Sequence, residues 1–529
     1  MKYTILISEK FSEQGRAIFE SDPDLEVTVA TGLSPDELSM RIGEFDALIV
    51  RSETKVTAEI IAKAKRLKLI GRAGVGIDNV DVGAASRAGI IVMNTPDGNT
   101  ISAAEHTMAM LLALARNIPQ AHSSMKAGKW ERSKFMGVEL LGKQLGVIGL
   151  GRIGGEVAKR ARAFGMKIVA FDPFASEARG AELGAQLSDL DGLLSTSDFI
   201  TVHAPKTKDT AALISTRELA LTKKGVRLIN VARGGLYDEA ALADAIQSGH
   251  VAGVALDVFE SEPPSPDNVL IGLPQVIVTP HLGASTEEAQ ENVAIALAHQ
   301  VIDALKGRVI SNAVNIPAID PSEWKRLQPY FVLAEKLGAF IAQYHSTGFD
   351  MLHIIYSGEC SERKTQALTL AALASALKPA LGEGVNYVNA SIFAKERGIV
   401  VSEEVTTTTS EYASLIRLET RSSAVTHTIA GTLTAGSEPR IVEIDGYRVD
   451  TEPSGNFLLF FNTDTPGILG RVATILGDAN INIAGLTNGR RTNSSDAVTI
   501  IRTDEEVTPE IINKISSIDA LRDVRVIRV

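Results

Sequence analysis

Over the first ~95 positions, short apolar runs alternate with amphipathic stretches. The runs 3–8, 47–50, 69–72 and 90–94 predict strands, and stretches between them such as 57–66 read as helices. Strands alternating with helices predict a parallel sheet. A long helix is expected from about Ser102 to Asn117. A second alternation runs from Gln144 to about His281, with strands at 145–149, 167–171, 199–203, 227–231, 253–258 and 275–279. Most of these are apolar on both faces, as strands covered by helices on both sides must be.

Beyond His281, Ser285 and Glu288 stand at capping-box spacing ahead of an alanine-rich helix reaching Leu305. Residues 312–317 read as a linker. Strand and helix signals are mixed over ~315–450, without an obvious catalytic motif. The tail from ~455 reads strand 457–461, helix 468–479, strand 482–486, strand 497–502, a helix from about Pro509, and strand 524–529. That order, βαββαβ, is a ferredoxin-like plait.

The 529 residues predict three or four domains at ~150 residues each, every one large enough for its own core. With 45% hydrophobic, 22% charged and 5% aromatic residues, disordered, collagenous and disulfide-scaffold chains are excluded. A net charge of −11 without a long basic run argues against nucleic-acid and membrane-surface partners. The single cysteine, Cys360, forms no intrachain disulfide, which fits a reducing cytosol. The best apolar run, 108–115, falls far short of the ~20 residues that span a bilayer. The first residues read as a strand, not a signal peptide, so a cytoplasmic location is expected.

Chemistry enters at residues 145–154, LGVIGLGRIG. Here Gly149, Gly151 and Gly154 form a GxGxxG spacing between a strand and a helix. Gly149 permits the tight turn, Gly151 clears the approach of a pyrophosphate, and Gly154 lets helix and strand pack closely. The pyrophosphate then meets the free N–H groups of the helix N-terminus. The next strand ends in Asp172, placed for the adenosine ribose hydroxyls. Its charge repels a 2′-phosphate, and Pro173 and Phe174 follow it instead of an arginine, which favours NAD over NADP. A turn-capping role is the alternative for Asp172.

Three ionisable residues follow late strands: Arg233 in NVARGG, Glu262 in LDVFESEP and His281 in VTPHLG. Strand carboxyl ends are where open α/β sheets bind ligands. A histidine can take the proton of a hydroxyl as hydride leaves. A glutamate can hold that imidazole, and an arginine can pair with a carboxylate and polarise a developing carbonyl. Singly, each has a plain alternative: a structural histidine, a solvated loop charge before Pro263, and a turn.

The runs GLGRIG, NVARGGL, ALDVFESEP and TPHLGAST, with Asp172, resemble the D-isomer-specific 2-hydroxyacid dehydrogenases. GRAGVGIDNVD (71–81) and GNTISAAEH (98–106) are similar to the branch that oxidises D-3-phosphoglycerate to 3-phosphooxypyruvate with NAD, the first step of the phosphorylated route to L-serine. The resemblance implies Arg233, Glu262 and His281 as catalytic groups. It implies cofactor contacts from Arg152, Ile153, Asp172, Val231, Ala232, Arg233, Asp257 and the segment His281, Leu282, Gly283, Ala284, with backbone contacts from Val75 and Ala204. Arg51, Ser52 and Asn99 are implied at the substrate, with Arg72 and Arg132 as further phosphate candidates or else plain surface arginines.

The tail resembles an ACT domain through Asp464, Pro466, Gly467, Leu469 and the run 481–483. That likeness implies pairing with a second copy and an amino-acid effector such as L-serine, contacted by Asn482. Asn462 and Asp464 depart from the first-turn pattern of serine-inhibited relatives. A purely architectural module is the alternative. Residues ~315–450 look like an intervening domain that binds an anion, with Arg440 and Arg448 as candidates. A homotetramer is also implied.

The expected architecture is two doubly wound, Rossmann-like α/β domains, then an α+β domain and a ferredoxin-like ACT domain. Residues 1–97, rejoined by 283–313, form the substrate domain, 98–282 the cofactor domain, 314–452 the intervening domain and 453–529 the ACT domain. No metal is expected. Two other functions are open: another D-2-hydroxyacid dehydrogenase, and an NAD-sensing corepressor-like binding protein.

Overall fold

The computed structural model describes residues 2–308, 310–408, 411–423, 425–434, 437–491 and 495–529. The first sheet holds five parallel strands in the order Leu25–Val29, Tyr3–Ile7, Ala47–Val50, Leu69–Arg72 and Ile91–Asn94. The edge strand Leu25–Val29, LEVTV, escapes an apolar-run reading because polar residues alternate with apolar ones and only Leu25 is buried.

Helix Thr100–Arg116 leads to a second, seven-stranded parallel sheet. Its order is Val276–Val278, Val251–Leu256, Val226–Asn230, Phe199–Val202, Gln144–Ile148, Lys167–Phe171 and Ala185–Leu187. Both faces are covered. Leu145 and Val147 pack with Met108 and Leu111 on one side, while Ile148, Ile200 and Val202 pack with Leu242 and Ile246 on the other. Chain direction through the sheet reverses between Gln144–Ile148 and Phe199–Val202, and the crevice beyond their carboxyl ends is where such sheets take ligands.

The chain then returns to the first sheet. Helix Glu287–Leu305 lays Val293, Leu297 and Val301 against Ile5, Ile49 and Met93. Its cap is Thr286, which accepts from the Ala289 N–H at 3.1 Å, not the expected Ser285. Ser285 is instead tied into a tight turn, its N–H donating to the Leu282 carbonyl. The expected linker 312–317 is also docked. Val314 N–H donates to the Val92 carbonyl, and Asn315 Oδ1 accepts from Val92 N–H.

Six strands form the third sheet: Val400–Thr406, Met351–Gly358, Ser414–Arg421, Thr426–Thr434, Glu438–Ile444 and Tyr447–Thr451, in that order. Helices Pro321–Tyr344 and Thr365–Leu381 pack on it. The fourth sheet is antiparallel, in the order Ile483–Arg490, Asp496–Thr503, Asn456–Thr463 and Leu521–Arg528. With helices Ile468–Asp478 and Pro509–Ser516 it is the expected plait. Its second face shares a core with the third-sheet unit, where Phe340 meets Phe457 edge-on at 5.6 Å. Among the described residues no helix is long and apolar enough to cross a membrane.

Candidate active site

The glycine turn follows strand Gln144–Ile148 and enters helix Arg152–Ala163. Gly149 has φ +91°, and a Cβ there would sit 2.6 Å from the His203 carbonyl. A Cβ on Gly154 would overlap the Gly149 carbonyl, whereas one on Gly151 would meet nothing within 4 Å. Two glycines are therefore required by the protein's own packing, and Gly151 leaves open space at the helix N-terminus. That is the pattern a pyrophosphate cradle needs.

Asp172 stands at the end of the neighbouring strand. Its two carboxylate oxygens accept from the backbone N–H groups of Leu150 (2.8 Å) and Phe174 (2.9 Å). It thus ties the glycine turn to the next strand, so the capping alternative is realised at the same position. Arg152, at the helix start, pairs with Asp97 at 2.5 Å.

Beyond the late strands, His281 Nδ1 lies 2.7 Å from Glu262 Oε2. Glu262 Oε1 also accepts from the Phe259 N–H. Burial pushes the Glu262 carboxyl up, but the His281 bond and charge, the Phe259 N–H and the Arg233 charge outweigh it and hold it below its ordinary range. His281 sits at φ +54°, a backbone state that non-glycine residues rarely adopt.

What holds His281 there is Asp257, whose side chain is fully buried. The Asp257 carbonyl accepts from the His281 N–H, and its carboxylate accepts from the N–H groups of Leu282 (2.7 Å) and Gly283 (2.8 Å) and from the Thr279 hydroxyl (2.5 Å). His106 Nε2, from helix Thr100–Arg116, lies 3.2 Å from both Asp257 and Thr279. Burial raises the Asp257 carboxyl, and these donors more than reverse it. Sequence reasoning passed over His106 as a site residue because it lies on a helix far from the strand-end motifs; its GNTISAAEH context was the available signal.

The facing sheet contributes arginines. Arg51 directly follows strand Ala47–Val50, and Arg72 ends strand Leu69–Arg72. Burial, with the charges of Arg233 and Arg51, lowers Arg72 to about 10. Its Nε is buried without a partner, as are Asn99 Oδ1 and Thr100 Oγ1. Arg233 crosses between the two sheets: its Nε lies 3.1 Å from Asp78, and a Cβ on Gly76 would overlap its guanidinium. Three cations thus share one crevice, and with the unpartnered Arg72 Nε they want an anionic guest.

Glu9 is a second residue that sequence reasoning missed. Its buried carboxylate accepts from the N–H groups of Arg51 (2.9 Å), Glu53 (3.2 Å) and Thr54 (2.8 Å). No motif marks it, because its role depends on the neighbouring strand end.

The remaining expected contacts are placed as follows. Val75 O accepts from Asn94 Nδ2 at 2.5 Å, and Ala232 N–H donates to Asn230. Val231 is buried, while Ile153, Ala204 and Ala284 are half-buried and Leu282 is exposed. Ser52 is exposed beside Arg51. Arg132 lies on the exposed turn Arg132–Phe135 and forms no hydrogen bond or ion pair among the described residues.

In the fourth-sheet unit, Asn462 is 2% exposed and accepts from the Thr499 hydroxyl. Asp464 pairs with Arg490, and Asn482 donates to Asp504. Strand pairing sets Asn462 beside Ala497 and Ile483 beside Thr503. Asn482 is therefore separated from Asn462 and Asp464 by most of a strand, roughly 20 Å at ~3.4 Å per residue. Arg440 pairs with Asp450 and Arg448 with Glu411.

Comparison with known proteins agrees with this layout. Residues 108–283 match the model of the D-isomer specific 2-hydroxyacid dehydrogenase NAD binding domain. Residues 326–445 match the D-3-phosphoglycerate dehydrogenase intervening domain, and 457–520 match the ACT domain. The chain is 44% identical over 521 residues to D-3-phosphoglycerate dehydrogenase of Archaeoglobus fulgidus, covering 98% of each protein. It is also 44% identical to that of Bacillus subtilis, covering 99% of each.

Among solved structures, D-lactate dehydrogenase of Aquifex aeolicus complexed with NAD and lactic acid matches 59% of this chain and 100% of its own, with 32% identity and a TM-score of 0.54. The TT0316 protein of Thermus thermophilus matches 59% of this chain and 99% of its own, with 35% identity and a TM-score of 0.55. With relatives matched end to end and all three domain models in order, this chain belongs to the D-3-phosphoglycerate dehydrogenases, within the NAD-binding D-isomer-specific 2-hydroxyacid dehydrogenases.

Proposed function

We propose that this chain oxidises D-3-phosphoglycerate to 3-phosphooxypyruvate, the activity its relatives' names carry, and that the cleft residues divide the work as follows. The observation that carries the reading is the His281–Glu262 pair at 2.7 Å, in the crevice that also holds Arg51, Arg72 and Arg233. Glu262 holds Nδ1 of the imidazole, leaving Nε2 to take the proton of the C2 hydroxyl. Arg233 pairs with the substrate carboxylate and stabilises charge on the developing carbonyl. NAD, held by the Gly149–Gly154 turn, Asp172 and the segment 281–284, accepts the hydride when bound.

Arg51, Ser52 and Arg72 hold the phosphate end of the substrate, and Asn99 helps to hold the substrate. The buried, unpartnered Arg72 Nε supports the phosphate assignment. Arg132, exposed on its turn, is a further candidate for the phosphate. The same four-part domain division, 1–97 with 283–313, 98–282, 314–452 and 453–529, accompanies the reading. The cleft between the first two parts is suited to hinge closure that excludes water.

The chain works as a homo-oligomer, a tetramer, in the cytoplasm. Trp130 and Met136, 76% and 81% exposed beside half-exposed Ile118 and Met125, form an apolar surface that a second copy would cover. L-serine is the effector of the ACT unit, at a site that two copies complete, because Asn482 and Asn462 stand at opposite ends of their strands. The experiment is steady-state NADH production over a panel of D-2-hydroxy acids, with and without serine. Preference for an unphosphorylated acid overturns the substrate assignment. Activity unchanged in millimolar serine makes the ACT unit architectural only.

A further inference from the structure

A second cavity, of about 280 Å³, lies away from the cleft, where the returning helix and the docked segment meet the intervening domain. That is just below the ~300–1,000 Å³ of drug-sized ligand sites and suits a smaller molecule. Its walls are apolar and aromatic. Ile316 and Ile319 come from the docked segment, Trp324 and Phe331 from helix Pro321–Tyr344, Leu370 from helix Thr365–Leu381, and Tyr387 closes the set. The three rings form an edge-to-face chain: Trp324 to Phe331 at 5.6 Å and 61°, then Phe331 to Tyr387 at 6.1 Å and 79°.

One carboxyl opens into this space. Glu335 forms no hydrogen bond or ion pair among the described residues, and burial pushes its carboxyl up despite the charges of Lys378 and Lys336. The cations around it are already engaged. Arg308 pairs with Asp303, Lys378 with Glu383, and Lys336 donates to the Pro453 carbonyl. Among the described residues no side chain pairs with Glu335, so a ligand can bring the charged donor that the protein does not supply. Aromatic faces attract a cation electrostatically, and a half-buried carboxylate gains most from a charged donor.

We propose that this cavity is a binding site for a small organic ammonium: an apolar body among the Trp324, Phe331 and Tyr387 rings, with its N–H groups on Glu335. The site lies between the catalytic and regulatory parts of the chain, so its occupant touches both. It is independent of the cleft chemistry.

The chain contains two tryptophans, and Trp324 lines the cavity while Trp130 lies exposed elsewhere. In a full-length Trp130→Phe variant, Trp324 fluorescence is titrated with 2-phenylethylammonium, with 2-phenylethanol and with 3-phenylpropanoate. The expected result is a saturable change with the ammonium at least about tenfold tighter than with the alcohol, and none with the carboxylate. Adding Glu335→Gln should weaken the ammonium at least about tenfold and leave the alcohol unchanged, a split that a folding defect would not produce. Lowering pH through the Glu335 titration should weaken the ammonium in the parent only. Absence of a saturable signal, equal binding of all three probes, or indifference to Glu335→Gln overturns the proposal.

Discussion

The two parallel sheets share an architecture and differ in what stands at their strand ends. In the seven-stranded sheet the first strand runs into Gly149-x-Gly151-x-x-Gly154, leaving backbone N–H groups and open space. In the five-stranded sheet the first strand, Tyr3–Ile7, runs into Ser8 and Glu9. There a carboxylate from the protein itself occupies the N–H groups of Arg51, Glu53 and Thr54. In one sheet Asp172 takes only the Leu150 N–H of the glycine turn, and the N–H groups of the helix start beyond it are left for a ligand. The other satisfies its backbone internally and presents guanidinium groups instead. The fold is common to both, and the choice of ligand is made by a few residues at the carboxyl ends.

The comparison breaks most visibly at the shared crevice. His281→Ala should lower kcat by about 10²–10⁴-fold, the usual range for losing a general base, while cofactor affinity, measured by NADH fluorescence, falls far less, because the glycine turn, Asp172 and the backbone of 282–284 still hold NAD. A loss of cofactor binding as large as the loss in kcat would deny His281 the general-base role.

Acid should separate the sheets next. His203, at the end of strand Phe199–Val202, is lowered by burial to about 4 from an ordinary 6.5. A folded pKa below the unfolded one means that stability is intact above pH ~6.5 and declines as pH falls toward ~4, by up to about 3 kcal/mol at 1.36 kcal/mol per unit. Positions 1–97 contain no histidine, and the returning helix Glu287–Leu305 carries one, His299. Denaturant midpoints of the cofactor-free protein should drop over that window, and His203→Gln should flatten the decline. A decline unaffected by that variant would remove His203 as its source.

Arg51→Ala should raise KM for 3-phosphoglycerate about tenfold to a hundredfold, the scale of one charge-assisted contact. KM for an unphosphorylated D-2-hydroxy acid and the NAD affinity should move little. Equal effects on both acids would deny Arg51 a phosphate role.

The smallest expected effect sharpens the comparison most. Glu9→Gln keeps the volume but weakens the hold on three N–H groups, costing about 1 kcal/mol. KM for 3-phosphoglycerate should rise a few-fold through misplacement of Arg51, while NAD binding stays constant. A change confined to NAD affinity would contradict the division between the sheets.

Much of this protein was written along the chain. Apolar runs marked most of the strands in the two parallel sheets, because strands buried on both faces must be apolar throughout. The glycine spacing marked the turn, since backbone crowding at Gly149 and Gly154 forbids a side chain. The βαββαβ order of the tail is likewise local information, carried by pattern alone.

Other features were decided only when distant segments met. Leu25–Val29 is a strand because a sheet edge accepts it, not because its own sequence is apolar. Asp172 ties the glycine turn to its own strand end because the Leu150 N–H, 22 positions away, came within reach. Asp257, His106 and Glu9 acquired their roles from partners 25, 151 and 42 positions away. Residue type and spacing determine which chemistry is available; which donor meets which acceptor is set by packing between segments remote along the chain, and no local pattern encodes that.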